Sequence, residues 1–304
     1  MSGLISRLGV RLDTMGAKAR MRRVRHGWPA SASPGVSFYN TPRVQFRYRE
    51  AGAGETIVFT ADPPMTIETY DRLIDLFSGQ FRVIVVELPA MGFSVASDDF
   101  GFGFSETNDE FALFLRAVAG EGATFAFSCV AGLAGIDIAV RYPELCARLA
   151  LIQVGDLEAF RIWKAGRDPK RILAKPIIGQ LIMKRLAPKR MPDWYALSVG
   201  KQDMIAPFCA CAAESFRHGA QWSLASAYQC YMDERVRLSP PRQPLLSIWG
   251  DADRSHPAGN RHAIVRLAPG AVCVSFADLG HAPELEDPAR VLEAIQTFCA
   301  ATGV

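Results

Sequence analysis

The chain lacks several features that would narrow its class at once. It has no uninterrupted apolar run of about 18 or more residues, so no spanning helix is expected. Met1 to Val10 lacks a sustained apolar stretch before its arginines, which argues against a secretory signal. The net charge is only +3, too small by itself to suggest nucleic acid as a partner. There are 7 cysteines, an odd number, and none forms a C-x-x-C pair. That favours reduced thiols and a cytoplasmic setting over a disulfide framework. Cysteine and histidine do not cluster at ligand spacing, so no metal site is expected. No internal repeat is visible, and nothing in the sequence calls for a cofactor.

What is present is an ordinary globular composition, 49% hydrophobic and 21% charged over 304 residues, enough for a sizeable core. The sequence divides into four stretches. Residues 1–35 read as a basic N-terminal segment and linker. Within them Arg7, Arg11, Lys18, Arg20, Arg22, Arg23 and Arg25 oppose a single acid, Asp13, and Leu4, Ile5, Leu8, Val10, Leu12 and Met15 have partial helical spacing. This segment reads either as a solvated tail or as a surface for peripheral contact with an anionic membrane or acidic partner. Residues 36–154 alternate strands with helices. The strand candidates are Val44–Glu50, Thr56–Thr60, Arg82–Leu88, Ala123–Phe127 and Arg148–Val154. The Ala-Gly-Ala-Gly run after Glu50 reads as a hairpin-like turn. Thr66–Phe77 has helical spacing, and Thr107 with Glu110 forms a capping-box pattern. Residues 155–240 show no clear strand, only helix-compatible segments expected to break at Pro176, Pro188 and Pro192. Strands resume in residues 241–304 at Pro244–Trp249 and Ala271–Phe276, followed by a helix from Pro288 to Cys299. Continuous apolar strands separated by helices imply a parallel sheet covered on both faces.

Three groups then fall beyond the carboxyl ends of strands, where open α/β sheets build their sites. Cys129 stands at a turn between a strand and a helix rich in small residues. Asp253 follows Trp249-Gly-Asp-Ala, and His281 follows Leu279-Gly. A thiol is mostly protonated at neutral pH, an adjacent imidazole can take its proton, and a carboxylate on the other ring nitrogen orients that imidazole. Asp251 is the rival to Asp253. His218, His256 and His262 read as surface or cap groups, and Cys209, Cys211 and Cys230 as packing.

The segments Glu87-Leu-Pro-Ala-Met-Gly-Phe-Ser94, Phe127-Ser-Cys-Val-Ala-Gly132, Arg141-Tyr-Pro-Glu144, Ile248-Trp-Gly-Asp-Ala-Asp253 and Gly280-His-Ala-Pro-Glu-Leu-Glu-Asp-Pro288 together resemble the α/β-hydrolase superfamily over nearly all of residues 44–300. The resemblance implies a mostly parallel eight-stranded sheet flanked by helices, with a helical cap inserted after the sixth strand. It implies Cys129 as nucleophile, His281 as base and Asp253 as orienting acid. Val130, Ala61, Asp62 and Ser128 are the expected oxyanion or substrate-binding positions. Two departures stand out: Cys replaces the usual Ser, and Phe127 stands where the elbow usually has Gly. A third is the loop Thr60-Ala-Asp-Pro-Pro64, which replaces the usual His-Gly oxyanion loop. Pro63 and Pro64 have no N–H to donate, and loss of one oxyanion donor costs about 3 kcal/mol. Asp62 reads either as a turn or helix N-cap residue or as a site residue that would repel a developing oxyanion.

The expected activity is acyl transfer or hydrolysis on an ester or thioester, by a thioesterase or acyltransferase. A non-hydrolytic enzyme on the same scaffold (a lyase, epoxide-type hydrolase or cofactor-free oxygenase) and a non-catalytic ligand-binding member are the alternatives. Ten Lys and Arg residues between Arg161 and Arg190, interleaved with apolar ones, suggest a carrier such as coenzyme A or acyl carrier protein, or anionic lipid.

Overall fold

The computed structural model describes residues 2–16, 19, 35–231, 235–256 and 258–303. The stretch from Trp28 to Ser33, read above as part of a linker, lies outside them. A nine-stranded sheet forms the centre. Its strands are β1 (Val36–Asn40), β2 (Val44–Ala51), β3 (Thr56–Ala61), β4 (Arg82–Glu87), β5 (Val95–Ala96), β6 (Ala123–Ala126), β7 (Cys146–Ile152), β8 (Leu245–Gly250) and β9 (Val272–Phe276). Eight of them follow the order β1-β2-β4-β3-β6-β7-β8-β9, and β5 pairs with β2 off that path. β2 runs antiparallel to β1 and β4, and all pairs from β4 to β9 are parallel.

The apolar runs explain this arrangement. Val83, Ile84, Val85 and Val86 are all fully buried, so β4 is covered on both faces. Alternation then sorts the side chains. Val58, Ile84 and Val86 join the core with α3 (Phe104–Phe114) and α4 (Ala131–Arg141). Ile57, Phe59, Val83 and Val85 join the opposite core with α2 (Asp71–Phe77) and α10 (Pro288–Ala301). Each such buried side chain contributes about 1.5–3 kcal/mol.

Between β7 and β8 the described residues form α5 (Leu157–Arg167), α6 (Ile178–Ser198), α7 (Gln202–Arg217) and α8 (Leu224–Cys230). β7 is the sixth strand of the eight-strand path in chain order. At the amino end of the chain, α1 (Ser2–Thr14) lies against α6 and α8. No helix among the described residues is long and apolar enough to cross a membrane.

Four local expectations are corrected. The Gly52 turn does not close a hairpin, because β4 lies between β2 and β3. Gly52 has φ +80° and packs so tightly on Phe81 and Ser78 backbone that a Cβ would collide. Thr107 lies inside α3, whose N-cap is Gly103 without a side-chain cap; Glu110 instead accepts from Arg43. Thr66–Phe77 splits into a 3-10 turn at Ile67–Tyr70 followed by α2. Pro188 and Pro192 lie within α6 and do not end it. Each proline removes one backbone bond, but Met191 and Tyr195 bury into the core from the same turns and hold the helix in place.

Candidate active site

The site is built on the turn after β6. Cys129 N donates to Ile152 O at 2.9 Å, and Ile152 N donates to Phe127 O at 3.0 Å, so the turn is tied to the end of β7. Cys129 has φ +50°, a conformation that costs a non-glycine residue about 1–3 kcal/mol and recurs where a side chain must be presented. Small residues make the turn possible. A Cβ on Gly132 would collide with Val154, and one on Gly135 would sit 2.9 Å from the Phe127 ring. Phe127, large where the turn usually needs glycine, fits because that space is left open. It stacks on Phe125 with centroids 4.8 Å apart and meets Phe111 at 5.3 Å.

His281 sits on the loop before the short helix α9 (Pro283–Glu286). Its N–H donates to Ser198 O at 2.7 Å. The Glu286 carboxylate accepts from Gly200 N, Lys201 N and Gly280 N at 2.8–2.9 Å, locking this loop to the end of α6. From α6 the Trp194 ring meets His281 edge-on at 5.4 Å. The inserted helices therefore reach the site.

Asp253 Oδ2 faces His281 Nδ1 at 2.8 Å. The same oxygen accepts from Gln153 Nε2 at 3.0 Å and faces His256 Nδ1 at 2.9 Å, while Oδ1 accepts from Ser255 N at 2.7 Å. Burial works against this charge, but His281 and His256 hold the carboxyl far below its ordinary range. Asp251, the rival, instead accepts from Arg261 at 2.8 Å.

Asp62 comes to the other side. Its Oδ2 lies 3.1 Å from His281 Nε2. Both imidazole nitrogens thus face carboxylates. Burial disfavours a charged His281. An ionised Cys129 and the carboxylates of Asp253 and Asp62 act oppositely and raise its pKa well above the ordinary value. Burial pushes the Cys129 thiol up to about 11 and the Asp62 charge adds to this, while His281 and the Val130 N–H pull it down. The sulfur is therefore protonated at neutral pH, and of the groups that favour a charged His281 the two carboxylates remain.

The fold thus brings together Cys129, His281, Asp253 and Asp62. Val130 N–H points at the Cys129 sulfur. Ala61 is buried at the end of β3. Ser128 turns away from that cluster: its hydroxyl donates to Glu284 Oε1 at 2.9 Å and its N–H to Thr60 Oγ1 at 3.1 Å. Burial raises Glu284 to about 7, and its second oxygen has no hydrogen-bond partner. Among the described residues two triplets of metal-donor side chains result, Asp62–Cys129–His281 and Asp253–His256–His281, each with its donor atoms within 4.8 Å of one another. Ligand spacing along the chain does not anticipate these clusters, which form only in space. The donors are engaged with one another, and His281 is common to both sets.

His256 is a correction. It is buried rather than a surface group, and its ring stacks on His281 at 4.8 Å and on Trp163 of α5 at 5.4 Å. Burial lowers its pKa, leaving a neutral ring that donates through Nδ1. Gln153 and Glu284 were also missed. The available signals were position alone: Gln153 directly follows β7, His256 lies three residues past Asp253, and Glu284 three past His281. His218 and His262 are exposed, as expected.

A strand order with one antiparallel strand second from the edge, a strained strand-to-helix turn after β6 and an acid and histidine after β8 and β9 together decide the architecture. The chain has the α/β-hydrolase fold. A solved epoxide hydrolase of Bacillus megaterium, bound to an inhibitor, superposes with a TM-score of 0.71 at 19% identity, covering 87% of this chain and 100% of that one. Among curated sequences, the biotin biosynthesis bifunctional protein BioHC of Teredinibacter turnerae is 22% identical over 236 residues, 74% of this chain. The match spans only 40% of that relative's length. A pimeloyl-[acyl-carrier protein] methyl ester esterase of Xanthomonas oryzae is 41% identical over 68 residues, 22% of this chain and 27% of the relative. No model of a known protein family matches the chain.

Proposed function

We propose that this protein is a hydrolase or acyltransferase that forms an acyl-enzyme on Cys129 from an ester or thioester. The observation that carries the reading is the strained turn at φ +50°, which sets the Cys129 sulfur beside Val130 N–H, with the Asp253–His281 pair behind it. His281 first gives up its Nε2 proton, to Asp62 or to solvent, leaving a neutral ring whose Nδ1–H stays on Asp253. His281 Nε2 then accepts the thiol proton, and the thiolate attacks the substrate carbonyl. Val130 N–H stabilises the oxyanion. As the carbon–oxygen or carbon–sulfur bond breaks, His281 returns the proton to the leaving group. Water or a second acceptor then resolves the acyl-thioester by the reverse proton path.

A thiol suits thioester exchange, since the attacking and leaving sulfurs are matched in leaving ability. Cys129 and His281 are only 4% and 2% exposed, so substrate entry requires residues 155–240 to act as a cap that parts from the elbow. The basic residues of that cap suit an anionic acyl carrier, coenzyme A or acyl carrier protein. The Xanthomonas relative is named for a carrier-bound ester of this type. The test is incubation with an acyl-thioester series followed by intact mass. An acyl adduct that disappears in Cys129→Ala and survives in Ser128→Ala supports the proposal; its absence in the unaltered protein, with the substrate bound, rejects it.

The 3.1 Å contact between Asp62 and His281 favours a second reading, in which Asp62 and His281 form an acid–base pair acting without a covalent intermediate. Asp62→Asn separates the two. It speeds acylation of Cys129 in the first and abolishes turnover in the second.

A further inference from the structure

Helix α1 packs with its faces reversed. Helical spacing places Leu4, Ile5, Leu8 and Leu12 along one face, Gly9 at its border, and Asp13 and Val10 on the far side. The face that packs on the protein is the one with Asp13. That carboxylate is fully buried: Oδ1 lies 2.6 Å from Lys184 Nζ on α6, and Oδ2 accepts from the Ser226 hydroxyl and N–H of α8 at 2.7 and 3.2 Å. The Ser223 hydroxyl donates to Asp13 O at 3.1 Å. Gly9 sits so close to α6 that a Cβ would lie 3.1 Å from Ile177 N and the Gln180 amide. The leucine face is turned to solvent, with Leu4 69%, Ile5 43%, Leu8 48% and Leu12 37% exposed. Alongside, α6 exposes Ile178 and Leu181 at 47% and 61%.

A helix of a water-facing surface does the opposite, burying its leucines and showing its charges. Here polar anchors fix the helix so that an apolar stripe points outward. The charge around the stripe is mostly basic, with Asp193 on α6, paired with Arg190, and Asp98 beside the carboxyl end of α1 as acids. Arg7 and Arg11 are exposed on α1, and Arg185, Lys189 and Arg190 are exposed on α6. Asp13, the sole acid among the first 30 residues, is paired inward with Lys184, and the chain continues with Lys18, Arg20, Arg22, Arg23 and Arg25. A two-fold dimer through this face would set Arg7 and Arg11 against their own copies. An anionic bilayer instead meets the apolar stripe with its acyl boundary and the arginines with its headgroups.

We propose that α1, with the adjoining face of α6, docks this protein on an anionic lipid surface, lying in the interface without spanning it. The inference is independent of the chemistry at Cys129. It is tested by flotation of the full chain with phosphatidylcholine vesicles and with vesicles containing phosphatidylglycerol. Binding is expected to require phosphatidylglycerol and to fall about tenfold or more in high salt. Leu4→Glu with Leu8→Glu, both at solvent-facing positions, lowers binding at least about tenfold while near-UV circular dichroism and Tm stay as in the parent. Arg7→Glu with Arg11→Glu removes the preference for phosphatidylglycerol. The proposal is overturned if the parent chain ignores both vesicle types, or if the leucine variant floats as well as the parent. It is equally overturned if the parent is a dimer in the absence of lipid and the same leucine variant dissociates it.

Discussion

The two sides of the His281 ring are built differently. On the Nδ1 side, Asp253 is held by Gln153, His256, Ser255 N and His281, four bonds from three separate segments. Gln153 is itself fixed by Gly250, accepting from its N–H at 2.9 Å and donating to its carbonyl at 3.3 Å. On the Nε2 side, Asp62 meets the ring through one oxygen at 3.1 Å, from a loop in which Pro63 and Pro64 offer no N–H. The first side fixes the imidazole's orientation. The second places a carboxylate where the thiol's proton must arrive. The difference teaches that, in the proposed reaction, orientation is preorganised, whereas release of His281 as base is a step the protein must take.

Breaking the rigid side has the largest expected effect. Asp253→Asn leaves the hydrogen-bond geometry available but removes the charge that supports imidazolium, and should lower kcat about 10³–10⁴-fold, read from steady-state kinetics on a thioester. If the loss is under about tenfold, Asp253 is not the orienting acid.

The buried Glu284 probes whether the region beneath the turn is built for a neutral group. Its folded value of about 7 lies above the ordinary 4.5. A raised value means that its contribution to stability is fully present below about pH 4.5 and is lost as pH rises through about 7. Glu284→Gln keeps an acceptor for Ser128 and cannot ionise. Its stability relative to the parent should therefore rise by about 2–3 kcal/mol between pH 4.5 and 8, measured by urea denaturation. A flat difference across that range would show that Glu284 titrates normally.

A smaller effect is expected at His256, a positioning residue that acts through Asp253 and by stacking on His281. His256→Gln retains a donor but loses the ring. It should lower kcat a few-fold, about 3–10-fold, and shift the pH profile of kcat/KM while leaving KM nearly unchanged. An unchanged pH profile would reduce His256 to a packing role.

Much of this was legible beforehand. Val83 to Val86 could only be a strand buried on both faces; Cys129 and Asp253 each stand just past such a strand, and His281 follows the largely exposed edge strand β9. Contacts between distant segments were not. The capping-box pattern at Thr107 and Glu110 is locally sound, but Arg43, 67 residues from Glu110, claims the carboxylate. Pro188 and Pro192 signal a break, and the core contacts of Met191 and Tyr195 outweigh it. His256 carries no periodic signal, since it lies in a loop whose path is set by Asp253 and by the rings of Trp163 and His281. Asp62 was visible as an anomaly in the loop after β3, though only the fold shows that it reaches His281.

The most direct test of the account is the pH dependence of Cys129 acylation in the parent and in Asp62→Asn, followed by intact mass with one acyl-thioester. Asp62 adds to the burial that holds the thiol at about 11 and also occupies His281 Nε2. Its removal should lower the apparent pKa for adduct formation and raise the rate at pH 7 about tenfold. A loss of all turnover in Asp62→Asn, with no Cys129 adduct in either protein, would contradict the account and make Asp62 itself the reacting base.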